Sequence, residues 1–305
     1  MALVLLNPHA QGGRAAQLAP ALAKWLQAHA PQATLAEPEA LVDCLTLLRR
    51  LPTGSRVVAV GGDGSLNRWL PAILENQLTL GLVPMGSGND CARGLGLYGM
   101  PWQAALHHAL HAPSHMVDTG SVSWTDLQGQ VQQTPFLSSL TAGFDSAVGL
   151  RALQGPRWLQ GLPRYLWATL KELLHLRDWD LQVRLDGVAV KSGRALFASS
   201  LNTPSFGSGM PAVPHARMDD GQLDMLYAGP FGRLGALCML PRLLMGWHLR
   251  HPRIDTRAYR QLDISCSQGV PLAADGEYLG VAQTLSVCCL AASLACVPRW
   301  PNDLQ

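Results

Sequence analysis

Val57-Val58-Ala59-Val60-Gly61-Gly62-Asp63-Gly64-Ser65-Leu66-Asn67 is an apolar run of strand type entering a turn with three glycines around one aspartate. Ser65 stands where a helix N-cap is expected. Leu82-Val83-Pro84-Met85-Gly86-Ser87-Gly88-Asn89-Asp90 repeats the pattern, an apolar run into a glycine-rich turn. Glycines let backbone approach a bulky anion, and the amides and dipole of a helix start favour phosphate. A bare carboxylate in such a cradle repels a phosphate. Asp63 therefore points to a cation or an acidic proton held there, as in Mg-ATP chemistry; the plainer alternative is a tight strand-to-helix turn in which Asp63 bonds its own backbone.

A third turn of this kind opens the chain, where Leu3-Val4-Leu5-Leu6 runs into Asn7-Pro8-His9-Ala10-Gln11-Gly12-Gly13-Arg14. Three such turns at the C-terminal ends of parallel strands share one sheet edge, where open α/β sheets bind ligands. Together, Asn7-Pro8 with Gly12-Gly13, Gly61-Gly62-Asp63-Gly64-Ser65 with Asn67, and Pro84-Met85-Gly86-Ser87-Gly88-Asn89-Asp90 resemble the diacylglycerol kinase catalytic family, which includes soluble bacterial lipid kinases and the sphingosine and ceramide kinases. The Gly-Gly-Asp-Gly element is shared with NAD kinases and, more loosely, phosphofructokinases; the Pro-x-Gly-Ser-x-Asn-Asp element favours the lipid kinases.

The 305 residues suggest two domains. A formal charge of +2 without a long basic run gives no signature for nucleic acid. Only 14% of residues are charged and nine are tryptophan, which hints at an apolar contact surface. Seven cysteines without paired spacing fit neither a metal site nor a disulfide framework, and no apolar run is long enough to span a membrane. The expected location is cytoplasmic.

Helical periodicity covers residues 14–28, with Pro20 marking a late start or a kink, and 39–50. Further helices are expected from Leu66 toward Glu75 and from Pro101, read as the first helical position, through Leu110. With strands between them, this predicts a doubly wound, Rossmann-like α/β domain over 1–117. Beyond Val117 the pattern becomes strand, turn, strand. Strands are expected at 117–124, 136–142, 181–185, 195–201, 223–228, 262–267 and 284–290, with Asp186-Gly187 as a hairpin turn. This predicts an antiparallel β-sandwich over 118–291, with 292–305 returning to the first domain as the family often does. Residues 151–179 and 231–251 interrupt the pattern with Trp, Leu and Arg, the composition of an interfacial helix or of a helix packed on the sandwich.

The resemblance implies an N-terminal domain like those of NAD kinases and phosphofructokinases that binds ATP, and a second domain that takes a lipid substrate. Asn7, Gly12, Gly13, Arg14, Gly61, Gly62, Asp63, Gly64, Ser65, Leu66, Asn67, Gly86 and Ser87 match nucleotide-binding positions. Asp90, Arg93 and Asp118 match a metal-and-water network near the transferred phosphate. In the second domain, Gly143-Phe144-Asp145 and the loop Pro211 to Asp224 fit the family. Adjacent carboxylates at Asp219-Asp220-Gly221 read either as a solvated turn or as a hard-cation site. The resemblance implies structural Mg2+ held by the Asp220 carboxylate and the backbone oxygens of Arg217 and Gln222.

Asp275-Gly276-Glu277 alone reads as an ordinary hairpin turn. In the family this glutamate faces the nucleotide across the interdomain cleft and takes the proton of the lipid hydroxyl, with Asp63 next in line. Ser65 and Ser87 keep the hydroxyl where threonine is usual. Gly12 stands where some relatives use a lysine, with Arg14 expected to reach the same phosphate, and Ala36 stands where relatives have a threonine that contacts nucleotide. The expected protein is an ATP- and Mg2+-dependent lipid kinase in peripheral contact with a membrane, and the resemblance allows a homodimer. The alternatives are an NAD kinase-like enzyme and a nucleotide- or lipid-binding protein without turnover.

Overall fold

The computed structural model describes residues 2–156 and 158–300; the side chains at positions 11, 12 and 14 lie outside it, so the expected role of the Arg14 side chain does too. The described chain falls into two compact units, one running to Val117 and resuming at Ala292, the other spanning Asp118–Ala291.

In the first unit, strands β1 (Ala2–Leu6), β2 (Ala33–Ala36), β3 (Arg56–Gly61) and β4 (Thr79–Pro84) pair in parallel in the order β4-β3-β1-β2. Beyond Ala2, Arg56 and Thr79 at their starts, β1, β3 and β4 are almost wholly buried, as strands covered on both faces must be. Helices α1 (Ala19–His29), α2 (Leu41–Arg50), α3 (Asp63–Glu75), the short α4 (Asp90–Gly94) and α5 (Trp102–His111) connect them. Leu22 and Leu26 of α1 join Leu106 and Ala109 of α5 over Val4, Val58, Val60 and Val83. α2 packs on α3.

Local details correct the sequence reading. Pro20 lies in the first turn of α1, and residues 10–18 form a 3-10 segment before it, so the late start is the outcome. α3 begins at Asp63 with Gly62 as its N-cap, so Ser65 is inside the first turn rather than capping it. The Gly62 carbonyl already accepts from the amides of Ser65 and Leu66, at 3.0 and 3.1 Å, which closes the turn three residues early. Pro101 is the N-cap of α5, outside the helix, because its ψ of 142° is extended.

The second unit is antiparallel. Its strands are β5 (His115–Asp126, entering from the first unit), β6 (Val131–Phe136), β7 (Ser139–Ala142), β8 (Trp179–Leu185), β9 (Val188–Ala195), β10 (Phe197–Leu201), β11 (Leu223–Ala228), β12 (Ile254–Tyr259), β13 (Gln261–Ala274) and β14 (Glu277–Cys296). The path β12-β11-β10-β7-β13-β14 carries two arms, β8-β9 on β13 and β5-β6 on β14. β13 turns the corner. Its residues 262–265 pair with β8, its residues 272–274 pair with β7, and an irregularity between Ser265 and Val270 separates the two. Leu181, Val183, Leu262, Ile264 and Leu285 belong to the sandwich core. The Asp186-Gly187 hairpin forms with both residues at positive φ, 48° and 80°. β12, and β6 up to Phe136, fall where no strand is expected from the sequence. The strand expected over 136–142 is broken at Leu137-Ser138.

Helices α6 (Phe144–Leu153), α7 (Leu162–Leu173) and α8 (Arg233–Leu244) complete this unit. The end of β14 belongs to the first unit, where Cys296 pairs in parallel with Leu80. Among the described residues, no helix is long and apolar enough to cross a membrane.

Candidate active site

The three glycine turns of the first unit meet. Asn7 follows β1; its amide donates to Val60 O (3.1 Å), and its side-chain Nδ2 donates to Ser65 Oγ (2.5 Å). Met85 N donates to Gly61 O at 2.7 Å. A Cβ built on Gly62 would lie 2.7 Å from Gly86 Cα, and one on Gly86 would lie 2.7 Å from Gly62 Cα. Only glycine fits at either position, because the opposing atoms are backbone. Asn89 is left-handed (φ 57°) and clamps Gly86 twice: its Oδ1 accepts from Gly86 N and its Nδ2 donates to Gly86 O, both at 2.8 Å.

Asp63 fastens the first turn to the second. Its Oδ2 accepts from Asp90 N (3.0 Å) and its Oδ1 from Cys91 N (3.1 Å), so it satisfies two amides at the start of α4. The Asp63 carboxylate thus bonds backbone amides, as in the plainer of the two expectations, but those of the second glycine turn rather than of its own. Gly61 ends β3, Gly64, Leu66 and Asn67 lie in the first turns of α3, and Ser87 is exposed at the tip of the second glycine turn. Gly13 has φ 93° in the segment that follows β1. Asp90 is buried, and the Arg93 guanidinium lies 3.4 Å from the centre of the Tyr98 ring. Ala36 ends β2, so no hydroxyl occupies that position.

The second unit holds the other predicted residues. Buried Asp118 accepts from Gly221 N through Oδ2 (2.7 Å), while its own amide donates to Met218 O (2.6 Å), so β5 holds the 217–222 loop from within the same unit. Gln222 N donates to Asp220 Oδ1 at 3.1 Å. Arg217 forks onto Asp219 with two 3.0 Å bonds, which removes one of the adjacent carboxylates from Asp220. Asp224, buried beside this loop, is raised above its usual range by desolvation, with His215 opposing and Asp220 adding to the rise. Cys289 is pushed up to about 12 by burial, then by the charges of Asp118 and Asp220.

Asp275 is not an ordinary turn residue. It is buried, has φ 46°, and accepts three consecutive amides: Leu137 N at 2.8 Å, Ser138 N at 2.7 Å and Ser139 N at 2.9 Å. This is why the strand expected over 136–142 breaks. Its own amide donates to Ser139 O at 2.8 Å, and Glu277 starts β14 two residues later, half-buried. Asn202, fully buried, donates to the carbonyls of Asp118 and Leu137, both at 2.8 Å. Neither the Asp275 nor the Asn202 contacts were visible in the sequence, because their partners lie 65 to 138 positions away.

A cavity of about 80 Å³ lies within the second unit, walled by Tyr165, Phe206, Met239 and Leu243 with Asp145 and His248 among its lining. Asp145, in the Gly143-Phe144-Asp145 element, accepts from Ser199 Oγ (3.1 Å), and burial pushes its carboxyl up to about 7. His248 is buried with Nε2 2.7 Å from Ala212 O, and burial lowers its pKa.

The model of the diacylglycerol kinase catalytic domain matches residues 1–122, and that of the YegS C-terminal NAD kinase beta sandwich-like domain matches residues 138–298. A diacylglycerol kinase of Mycobacterium tuberculosis is 31% identical over 242 residues, 79% of this chain and 74% of that protein. Among solved structures, a diacylglycerol kinase from Bacillus anthracis str. Sterne superposes with a TM-score of 0.69 at 18% identity, covering 99% of this chain and 98% of that one. An NAD kinase from Archaeoglobus fulgidus in complex with ATP superposes with a TM-score of 0.53 at 12% identity, covering 95% and 90%. At these identities the two structures speak for the fold alone.

Proposed function

Since the chain belongs to the diacylglycerol kinase family and is a lipid kinase, we propose that it transfers the γ-phosphate of ATP to the hydroxyl of diacylglycerol or a related glycerolipid or sphingoid lipid, with Glu277 as proton acceptor. The observation that carries this reading is the double glycine turn. Gly62 and Gly86 are in backbone contact at the start of α3, a cradle that a single Cβ would fill. Such a surface suits a phosphate chain. Asn7, Gly12, Gly13, the Gly61–Asn67 turn, Gly86 and Ser87 hold the nucleotide in this reading.

Phosphoryl transfer asks for positioning and charge stabilisation more than covalent chemistry. The acceptor hydroxyl still needs a base. Both Asp63 oxygens already accept amides of α4, so Asp63 is the positioning carboxylate and Glu277 the base. Asp275 fixes the turn that carries Glu277. Asp90, Arg93 and Asp118 belong to the network around the transferred phosphate. The Asp220 carboxylate with the carbonyls of Arg217 and Gln222 is a hard-oxygen set that fits Mg2+, and the ion would supply charge to pin this acidic loop. The lipid hydroxyl is presented at a membrane surface, which makes the protein a peripheral membrane enzyme.

The test is transfer of labelled γ-phosphate from ATP with Mg2+ to a panel of lipids in mixed micelles, with NAD as a further acceptor. A labelled lipid, lost in Glu277→Gln, is the expected result. Labelled NADP would move the assignment to the NAD kinase-like alternative, and ATP binding without any product to the binding protein.

A further inference from the structure

We propose that α8 and the α6–α7 connector form one docking surface for an anionic lipid bilayer. From Met225 to Ile254 the chain contains no carboxylate, while Arg233, Arg242, Arg250 and Arg253 fall within that stretch. A second carboxylate-free stretch runs from Ser146 to Lys171. The whole protein carries 21 acidic against 23 basic residues, so these two runs concentrate positive charge that the net +2 conceals. The fold brings them together: α7 and α8 are in contact, and both line the same cavity.

The apolar surface coincides with the charge. α8 has no buried residue. Its inner positions, Ala236, Met239, Leu240 and Leu243, recur at helical spacing along the cavity wall. Its outer face is apolar too, with Leu234 79% exposed, and Trp247 just beyond the helix is 52% exposed. In the connector Trp158 is 80% exposed. A helix apolar on both faces, with arginines around it and tryptophans at its margin, matches an interfacial helix. Arg233, Arg242 and Lys171 are exposed at this surface. A second copy of the chain would bring like charges face to face, whereas an anionic leaflet attracts each basic side chain.

The inference deepens the lipid-kinase reading, in which the acceptor resides in a membrane, but its test needs no phosphoryl transfer. The full chain is sedimented with vesicles of phosphatidylcholine alone or with about one third phosphatidylglycerol. Binding to the anionic vesicles is expected. It should fall about tenfold or more in Leu234→Asp/Trp247→Ser, and by a similar factor in Arg233→Glu/Arg242→Glu. Both pairs are exposed, and circular dichroism checks that the variants fold. Phosphorylation of a short-chain, water-soluble diacylglycerol should be unchanged in both. Equal binding to neutral vesicles, binding unaffected by either pair, or light scattering showing a dimer that Leu234→Asp/Trp247→Ser dissociates would each overturn the proposal. Vesicle binding that behaves as expected without phosphorylation of any lipid would leave the docking surface standing and overturn the acceptor assignment alone.

Discussion

Asp63 and Asp275 sit in similar places, each an aspartate beside glycine at a turn between regular elements, and each gives its carboxylate to main-chain amides. Asp63 is half-buried and holds two amides of a five-residue helix 27 and 28 positions away. Asp275 is buried and holds three amides 136 to 138 positions away. The same turn chemistry therefore serves two ends. In the first unit it locks two glycine turns against each other, backbone against backbone. In the second it pins a break between strands and so fixes the start of β14, where Glu277 stands. A carboxylate in a glycine turn need not wait for a metal; it can hold a distant stretch of its own chain.

The comparison is broken most directly at Glu277. Glu277→Gln is expected to lower kcat by about 10²- to 10⁴-fold with an unchanged urea midpoint. If Asp63→Asn produced that loss at unchanged stability while Glu277→Gln did not, the roles of base and positioning residue would be exchanged. Next in size, Asp275→Ala strands three buried amides and should destabilise the second unit by about 3 kcal/mol or more in urea denaturation. Activity should fall with it, since the turn carrying Glu277 loosens. Asp63→Asn turns one accepting oxygen into a donor facing an amide, and about 1–2 kcal/mol is expected, read in the same way, with a raised KM for ATP.

A further effect concerns pH. The Asp145 carboxyl, ordinarily near 3.8, is pushed up to about 7 by burial, with the hydrogen bond from Ser199 opposing. Between those values the folded protein keeps a proton that the unfolded chain has released. This group therefore lowers stability as pH rises through that window and adds no further change above it. Asp145→Asn should flatten the stability profile between about pH 4 and pH 7, measured by urea midpoints across that range. A profile identical to that of the unaltered protein would show that the carboxyl is not desolvated.

What the sequence revealed and what it hid follow from the range of each interaction. Strand–helix alternation up to residue 117 and hairpin grammar beyond it are local periodicities, so the two fold classes were legible from Val57–Gly61 or Leu181–Leu185 with the turn that follows. The Asp186-Gly187 turn is equally local. The start of α3 was misplaced by three residues because Gly62 rather than Ser65 ends the extended backbone, and what demands glycine there is Gly86, on another strand's turn. The break at Leu137-Ser138 was invisible because its cause is Asp275. Residues of the candidate site were recognisable as motifs, but the partners that fix them were not.

The contact between Gly62 and Gly86 has a consequence for how this chain can vary. When two side chains crowd each other, a larger residue at one position is commonly accommodated by a smaller one at the other. Here neither partner can shrink, since each is already the smallest residue and the atoms that meet are Cα atoms. No second-site substitution at the partner can rescue a change at either glycine. The pair is a closed door to stepwise drift, passable only if the whole turn is rebuilt together with Asn89 and Asp63, which hold it shut.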